Sequence, residues 1–195
     1  PTKEVAELNY FPAKTPNAKY ALVLSGNIST RTAELKECIS TAYELHEKGY
    51  AVFTMRYRVF QNASDNAPLD DIGRAVQFIT EHAKVFDVQT ENYALLGYSS
   101  GGHLLGLFCG RELGYQKYKV PKPGALLLAY PINDFNEARP FYRLVMDPAV
   151  CGTRYYDNTI SGSVDADYPP TYFWYGKNDN TLKLLIYSEQ GPALE

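Results

Sequence analysis

The segment Gly97-Tyr98-Ser99-Ser100-Gly101-Gly102-His103 holds the residues best suited to covalent chemistry in this chain. A serine hydroxyl is a weak nucleophile until something takes its proton and something else stabilises the charge its attack creates. The spacing Gly-x-Ser-x-Gly supplies the second condition when a strand precedes it and a helix follows. Asn92-Tyr93-Ala94-Leu95-Leu96 is apolar, ends at a glycine and reads as a buried strand. From Gly101 to Leu113, the residues Leu104, Leu105, Leu107 and Phe108 recur at helix-compatible spacing. So tight a turn needs small neighbours, which accounts for Gly97 and Gly101. It lifts the Ser99 hydroxyl above the sheet and aims the first helix amides at whatever the hydroxyl attacks. The helix start also carries partial positive charge, which favours an oxyanion there. The alternative is an ordinary glycine-rich turn, and the strand and helix on either side argue against it.

Such a turn works only in a rigid frame, and the rest of the chain supplies the pattern of one. Residues 1–18 read as an extended lead-in. Tyr20-Ala21-Leu22-Val23-Leu24 is a short apolar strand that ends at Ser25-Gly26-Asn27. From Thr32 to Lys48 the positions Leu35, Cys38, Ile39, Ala42 and Leu45 keep helical period, and Gly49 is a natural stop. Ala51-Val52-Phe53-Thr54-Met55 is a second buried strand, leading into Arg56-Tyr57-Arg58. Pro68 and Asp70 open a helix with Ile72, Ala75, Val76, Ile79 and Ala83 on one face. Ala125–Ala129 and Thr171–Tyr175 are further strands, the last ending at Gly176-Lys177-Asn178-Asp179. Strands alternating with helices predict an α/β fold, a mostly parallel sheet with helices on both faces. The stretch 131–170 is too long for a plain connection and is expected to be a cap or substrate-binding insertion over the carboxyl ends of the strands, with a disordered loop as the alternative.

With 195 residues and no linker, residues 1–195 make one domain with a substantial core. At 45% hydrophobic and 21% charged, the chain is not expected to be disordered. A net charge of −3 gives no reason to expect nucleic acid or an anionic membrane as partner. No apolar run approaches membrane-spanning length, and cytoplasmic placement is expected, with an export signal ahead of Pro1 left open. Cys38, Cys109 and Cys151 follow no metal-ligand spacing and read as reduced, mostly buried thiols. Gly97 to Gly102 lacks the lysine of a phosphate-binding loop and the spacing of a dinucleotide site, so no metal and no cofactor are expected. A homo-oligomer is compatible with all of this.

The order of elements resembles the α/β-hydrolase superfamily, and more narrowly the bacterial esterases and acetyl esterases related to hormone-sensitive lipase. The resemblance runs from about Tyr20 to the last residue. Its specific parts are Gly97-Tyr98-Ser99-Ser100-Gly101-Gly102-His103-Leu104, Pro169-Pro170-Thr171 and Gly176-Lys177-Asn178-Asp179. It implies Ser99 as nucleophile and Asp179 as triad acid, in the chain order serine, acid, histidine. Lys177-Asn178-Asp179-Asn180 is also good turn chemistry, so a surface turn is the plainer alternative for Asp179.

Two departures from that family stand out. Its catalytic histidine follows the acid, whereas the chain's three histidines are His46, His82 and His103. The first two precede the nucleophile in helices. His103 matches the family's structural histidine and is expected to pack beneath the elbow. The expectation is therefore that the histidine lies beyond residue 195, in the C-terminal strand and helix of the fold. The second departure is the oxyanion loop, where a glycine-rich run is replaced by Leu24-Ser25-Gly26-Asn27-Ile28. Gly26 and the Ser100 amide are the expected donors, because backbone amides do this work and side chains can vary; Asn27 is either an added side-chain donor or a simple turn residue. The leading expectation is a serine carboxylesterase acting on short acyl esters, acetyl groups on sugars among them. A prolyl-oligopeptidase-like peptidase and an inactive hydrolase-fold binding protein are the alternatives.

Overall fold

A computed structural model describes residues 6–26, 34–59, 64–133 and 158–179. Its centre is a six-stranded sheet in the order β1-β3-β2-β4-β5-β6. The strands are β1 (Glu7–Phe11), β2 (Tyr20–Leu24), β3 (Ala51–Arg56), β4 (Ala94–Tyr98), β5 (Ala125–Ala129) and β6 (Thr171–Trp174). β2 to β6 are parallel, and β1 pairs antiparallel with β3 at the edge. Parallel neighbours need a crossover between them, and helices supply it here. A π-helical turn (Glu34–Ile39) runs into α1 (Ser40–Glu47) between β2 and β3. α2 (Ala67–Glu81) and the short α3 (Ala83–Phe86) lead from β3 to β4. α4 (Ser99–Cys109) follows β4 directly, and α5 (Ile160–Ser163) lies between β5 and β6.

β2 is wholly buried, as a central parallel strand covered on both faces must be. Its alternate residues divide the core between those faces. Tyr20, Leu22 and Leu24 pack with Leu69, Ile72, Val76 and Ile79 of α2 and with Leu104, Leu107 and Phe108 of α4. Val23 points the other way, toward Cys38 and Ala42 on the α1 side. Each fully buried leucine, isoleucine or valine contributes about 1.5–3 kcal/mol from area removed from water. The apolar stripe of α2 is therefore a main support of the sheet that carries the elbow.

Most elements fall where the periodicity places them, and the differences have physical reasons. β1 forms within the segment expected to be only an extended lead-in. A five-residue edge strand draws its stability from partners remote in sequence: Tyr10 stacks on Phe53 at 4.8 Å, and Arg56 meets Glu7 at 3.0 Å. The helix expected from Thr32 opens with a π-helical turn, and Gly49 ends it at φ 89°, as a left-handed stop should. β4 begins at Ala94 because Asn92 sits in a left-handed turn at φ 56°. At its other end β4 runs to Tyr98, so strand and helix meet with nothing between them. Of the expected insertion 131–170, residues 134–157 lie outside the described residues. Residues 158–170 run along α4 toward the start of β6: Ile160 seats against Gly106, and the Tyr168 hydroxyl donates to the Gly106 carbonyl at 2.7 Å.

Candidate active site

Ser99 is the first residue after β4 and has φ 51°. A non-glycine residue there carries about 1–2 kcal/mol of steric strain, so the surrounding packing must hold it in place. The glycines show how closely. A Cβ on Gly97 would lie 2.6 Å from Gly102 Cα, and one on Gly101 would lie 2.4 Å from the Ser25 carbonyl oxygen. Real side chains do not fit at either distance. The sharp turn predicted from the motif is thus required by backbone packed on backbone.

The same close approach brings the end of β2 against the nucleophile. A Cβ on Gly26 would lie 3.1 Å from Ser99 Cβ and 3.6 Å from Ser99 Oγ. Glycine at 26 lets its backbone come this close without crowding the Ser99 side chain. Ser100 turns its side chain inward, 3.3 Å from the Tyr57 hydroxyl, which itself donates to the Ser25 carbonyl at 3.1 Å. The ends of β2, β3 and β4 are therefore tied at one place. Next to Tyr57, Arg58 clamps the buried Asp71 with a pair of bonds at 2.7 and 2.9 Å, which fixes α2 to the end of β3.

His103 is fully buried, and its Nδ1 lies 2.6 Å from the Ile132 carbonyl oxygen. A carbonyl can only accept, so that ring nitrogen carries the hydrogen. The Ile132 amide in turn donates to the Ser99 carbonyl at 3.4 Å. His103 thus packs below the elbow and ties it to the turn after β5, as the sequence led us to expect. His46 and His82 sit in the last turn of α1 and at the C-terminus of α2. Both helices run back from the carboxyl edge of the sheet, so these two residues lie at the edge opposite Ser99.

Asp179 lies in the turn after β6, where its amide donates to the Gly176 carbonyl at 3.1 Å. That turn is on the same carboxyl edge as Ser99, and β5 separates the two strands concerned. The residue between the two positions is Tyr130, whose amide donates to the Trp174 carbonyl at 2.7 Å. Burial, and then the negative charge of Glu37, push the Tyr130 phenol well above its ordinary range, with a smaller push from Asp179. Tyr130 therefore stays a hydrogen-bond donor at neutral pH.

Glu37 and Tyr130 are the two residues of this site that motif reasoning missed. The Gly26 amide donates to Glu37 Oε2 at 2.7 Å, and the Tyr130 hydroxyl donates to Glu37 Oε1 at 2.9 Å. This alters the role expected of Gly26: its N–H goes to a carboxylate, and what it offers Ser99 is the absence of a side chain. Asn27, the other loop donor expected, lies outside the described residues. Ser100, the third donor expected, stands in the first turn of α4. No local signal marks Glu37 among the charged residues of its helix. Tyr130 carries a faint one, as the first polar group after an apolar strand.

Cys38 and Cys109 are buried free thiols, and burial pushes Cys38 up to about 12, so neither serves as a nucleophile. Cys151 lies outside the described residues. Among the described residues no group of histidine, cysteine and carboxylate side chains could hold a metal ion. No described helix is long and apolar enough to cross a membrane.

The profile of the BD-FAE family matches residues 10–117, more than half of the chain and β2 through α4 with the elbow. The chain belongs to the BD-FAE family. With this membership comes the α/β-hydrolase esterase group that the motifs resemble. An acetylxylan esterase of Xylanibacter ruminicola is 22% identical over 132 residues, 68% of this chain and 26% of the relative. Endo-1,4-beta-xylanase B of Butyrivibrio fibrisolvens is 23% identical over 154 residues, 72% of this chain and 24% of the relative. The chain thus spans about a quarter of the length of these two proteins. Among solved structures, a lipase/esterase from Lactobacillus plantarum superposes with TM-score 0.77 at 17% identity, over 96% of this chain and 80% of that one. An acetyl ester-xyloside bifunctional hydrolase from Caldicellulosiruptor lactoaceticus gives 0.77 at 19% identity, over 99% of this chain and 74% of that one. The chain shares the α/β-hydrolase fold with these two solved structures.

Proposed function

We propose that this chain carries the nucleophile of a serine carboxylesterase that hydrolyses short-chain acyl esters, acetyl groups on sugars included. The observation that carries this reading is Ser99 at φ 51°, strained and wedged between β4 and α4 with the bare Gly26 backbone close beside its hydroxyl. Strain of this kind persists only where packing imposes it, and here it serves to present one hydroxyl. Membership of an esterase family and the acetylxylan esterase among the relatives support the choice of ester and of sugar.

In this mechanism Ser99 Oγ attacks the ester carbonyl carbon while a histidine takes its proton. Asp179 holds that imidazole in the right tautomer and stabilises its charge. The tetrahedral oxyanion is received at the start of α4 by the Ser100 amide, with Asn27 as the further donor in this reading. The alcohol departs with the proton, and water then releases the acid by the same steps in reverse. His103 is bonded to Ile132, and His46 and His82 sit at the far edge, so none of these three is the base in this reading. Substrate is a small ester, with no nucleic acid or membrane in the reaction.

The test is hydrolysis by the full-length protein of 4-nitrophenyl acetate, acetylated xylo-oligosaccharide and an aminoacyl anilide. The reading expects turnover of both acetyl esters, little of the anilide, and loss of at least about 1000-fold in Ser99→Ala. Faster cleavage of the anilide makes the protein a peptidase; turnover that survives Ser99→Ala refutes the assignment.

A further inference from the structure

Tyr130 has φ 38° and is the first residue after β5, just as Ser99 is the first after β4. Glycine is the default where a turn needs positive φ, because it alone escapes the steric penalty. A tyrosine kept in that conformation implies that its side chain does something glycine could not. What the side chain does is visible: its hydroxyl donates to Glu37 Oε1 at 2.9 Å while Glu37 Oε2 accepts the Gly26 amide at 2.7 Å. Glu37 itself stands on a π-helical turn, and a widened turn of that kind redirects side chains relative to a regular helix. One carboxylate thus joins the chain leaving β2 to the chain leaving β5, with the elbow of β4 between them. Gly26 is the residue whose bare backbone faces Ser99 Oγ.

We propose that Glu37 and Tyr130 form a positioning pair that sets the Gly26 backbone against Ser99 and thereby sets the rate of acyl transfer. Neither residue is a catalytic group. The pair acts by holding one wall of the space in which the substrate carbonyl must sit, where a displacement of about 1 Å costs on the order of 100-fold in rate. Because the Gly26 hydrogen is already given to Glu37, the charge of Glu37 is matched by two donors and does not compete for the substrate. This inference rests on the esterase reading above.

The experiment uses the full-length protein and 4-nitrophenyl acetate, with Ser99 first titrated by a fluorophosphonate that forms one covalent adduct. Glu37→Ala is expected to lower kcat on the order of 10- to 100-fold per titrated site, with KM within about twofold of wild type. Tyr130→Phe, which removes one hydroxyl and keeps the ring, is expected to lower kcat several-fold. Glu37→Gln is expected to recover most of the rate, since its amide oxygen can accept from Gly26 and its NH2 can donate to the Tyr130 oxygen. If Glu37→Ala does not fold, Tyr130→Phe and Glu37→Gln carry the test. Wild-type kcat per titrated site in Tyr130→Phe, or a loss of kcat/KM that comes only from a raised KM, overturns the positioning pair and leaves the esterase reading standing. No adduct on wild-type Ser99 overturns both.

Discussion

The turns after β4 and after β5 solve the same problem by opposite means. Each puts a non-glycine residue at positive φ as soon as a parallel strand ends: Ser99 at 51° and Tyr130 at 38°. The first is held by backbone packed on backbone, with Gly97, Gly101 and Gly102 so close to their neighbours that no Cβ fits. The second has backbone bonds from Tyr130 to Trp174 and from Ile132 to Ser99, and adds side chains: the Tyr130 ring beside Tyr98 at 5.7 Å, its hydroxyl on Glu37, and His103 beneath it on Ile132. The first leaves a hydroxyl free for chemistry. The second spends its hydroxyl on holding another loop. A turn built from backbone writes its requirement into local sequence as glycines, and a turn built from side chains does not.

That contrast can be broken at the elbow with the largest effect. Gly101→Ala pushes a methyl group against the Ser25 and Leu24 carbonyl oxygens, both of them backbone. The expected cost is about 3 kcal/mol or more, a fall in Tm of roughly 6–12 °C by calorimetry. A Tm within about 2 °C of wild type would mean the elbow yields far more easily than its packing implies. Next in size is the bond that joins the two turns. His103→Phe keeps much of the buried volume but leaves the Ile132 carbonyl unpaired, so about 1–3 kcal/mol of stability is expected to go, read as a shift of the urea midpoint at constant slope.

Relieving the strain is expected to act with opposite sign at the two turns. Ser99→Gly removes the penalty at 51° and loses little packing, so stability is expected to be unchanged or to rise by up to about 1 kcal/mol. Tyr130→Gly relieves the same kind of strain but gives up the ring contact and the bond to Glu37, for a net loss of about 1–3 kcal/mol. Equal shifts in the two variants would show that the turns are held alike after all.

Smallest at neutral pH, and growing above it, is the effect of the buried phenols. Burial raises Tyr20, Tyr93 and Tyr168 above the ordinary tyrosine range. The fold favours their protonated form, so this contribution is complete below the unfolded pKa of about 10 and is lost as pH rises past it toward the folded values. Tyrosinate absorbance of these residues is expected to emerge together with loss of the near-ultraviolet circular dichroism, rather than before it.

How much could be read in the sequence follows the same division. The elbow, the parallel sheet and the structural place of His103 were legible because each rests on local spacing: Gly-x-Ser-x-Gly, period-two and helical patterns, and one helical turn from Ser99. β1 was not, since a strand of five residues is defined by Phe53 and Arg56 across the sheet rather than by its own pattern. Nor was Glu37, which reaches Tyr130 only because the sheet order brings the ends of β2 and β5 to either side of β4. Gly26 shows the boundary between the two cases. Its closeness to Ser99 follows from the fold order, while the bond that claims its amide depends on a carboxylate in a helix with no motif.

The central claim is that the elbow presents Ser99 as an acylatable nucleophile. The most direct measurement is the intact mass of the full-length protein after exposure to a fluorophosphonate, alongside Ser99→Ala. One adduct per chain, mapped to Ser99 and absent from the variant, is the result this account predicts. An unmodified wild-type protein, or an adduct that persists in Ser99→Ala, would contradict it.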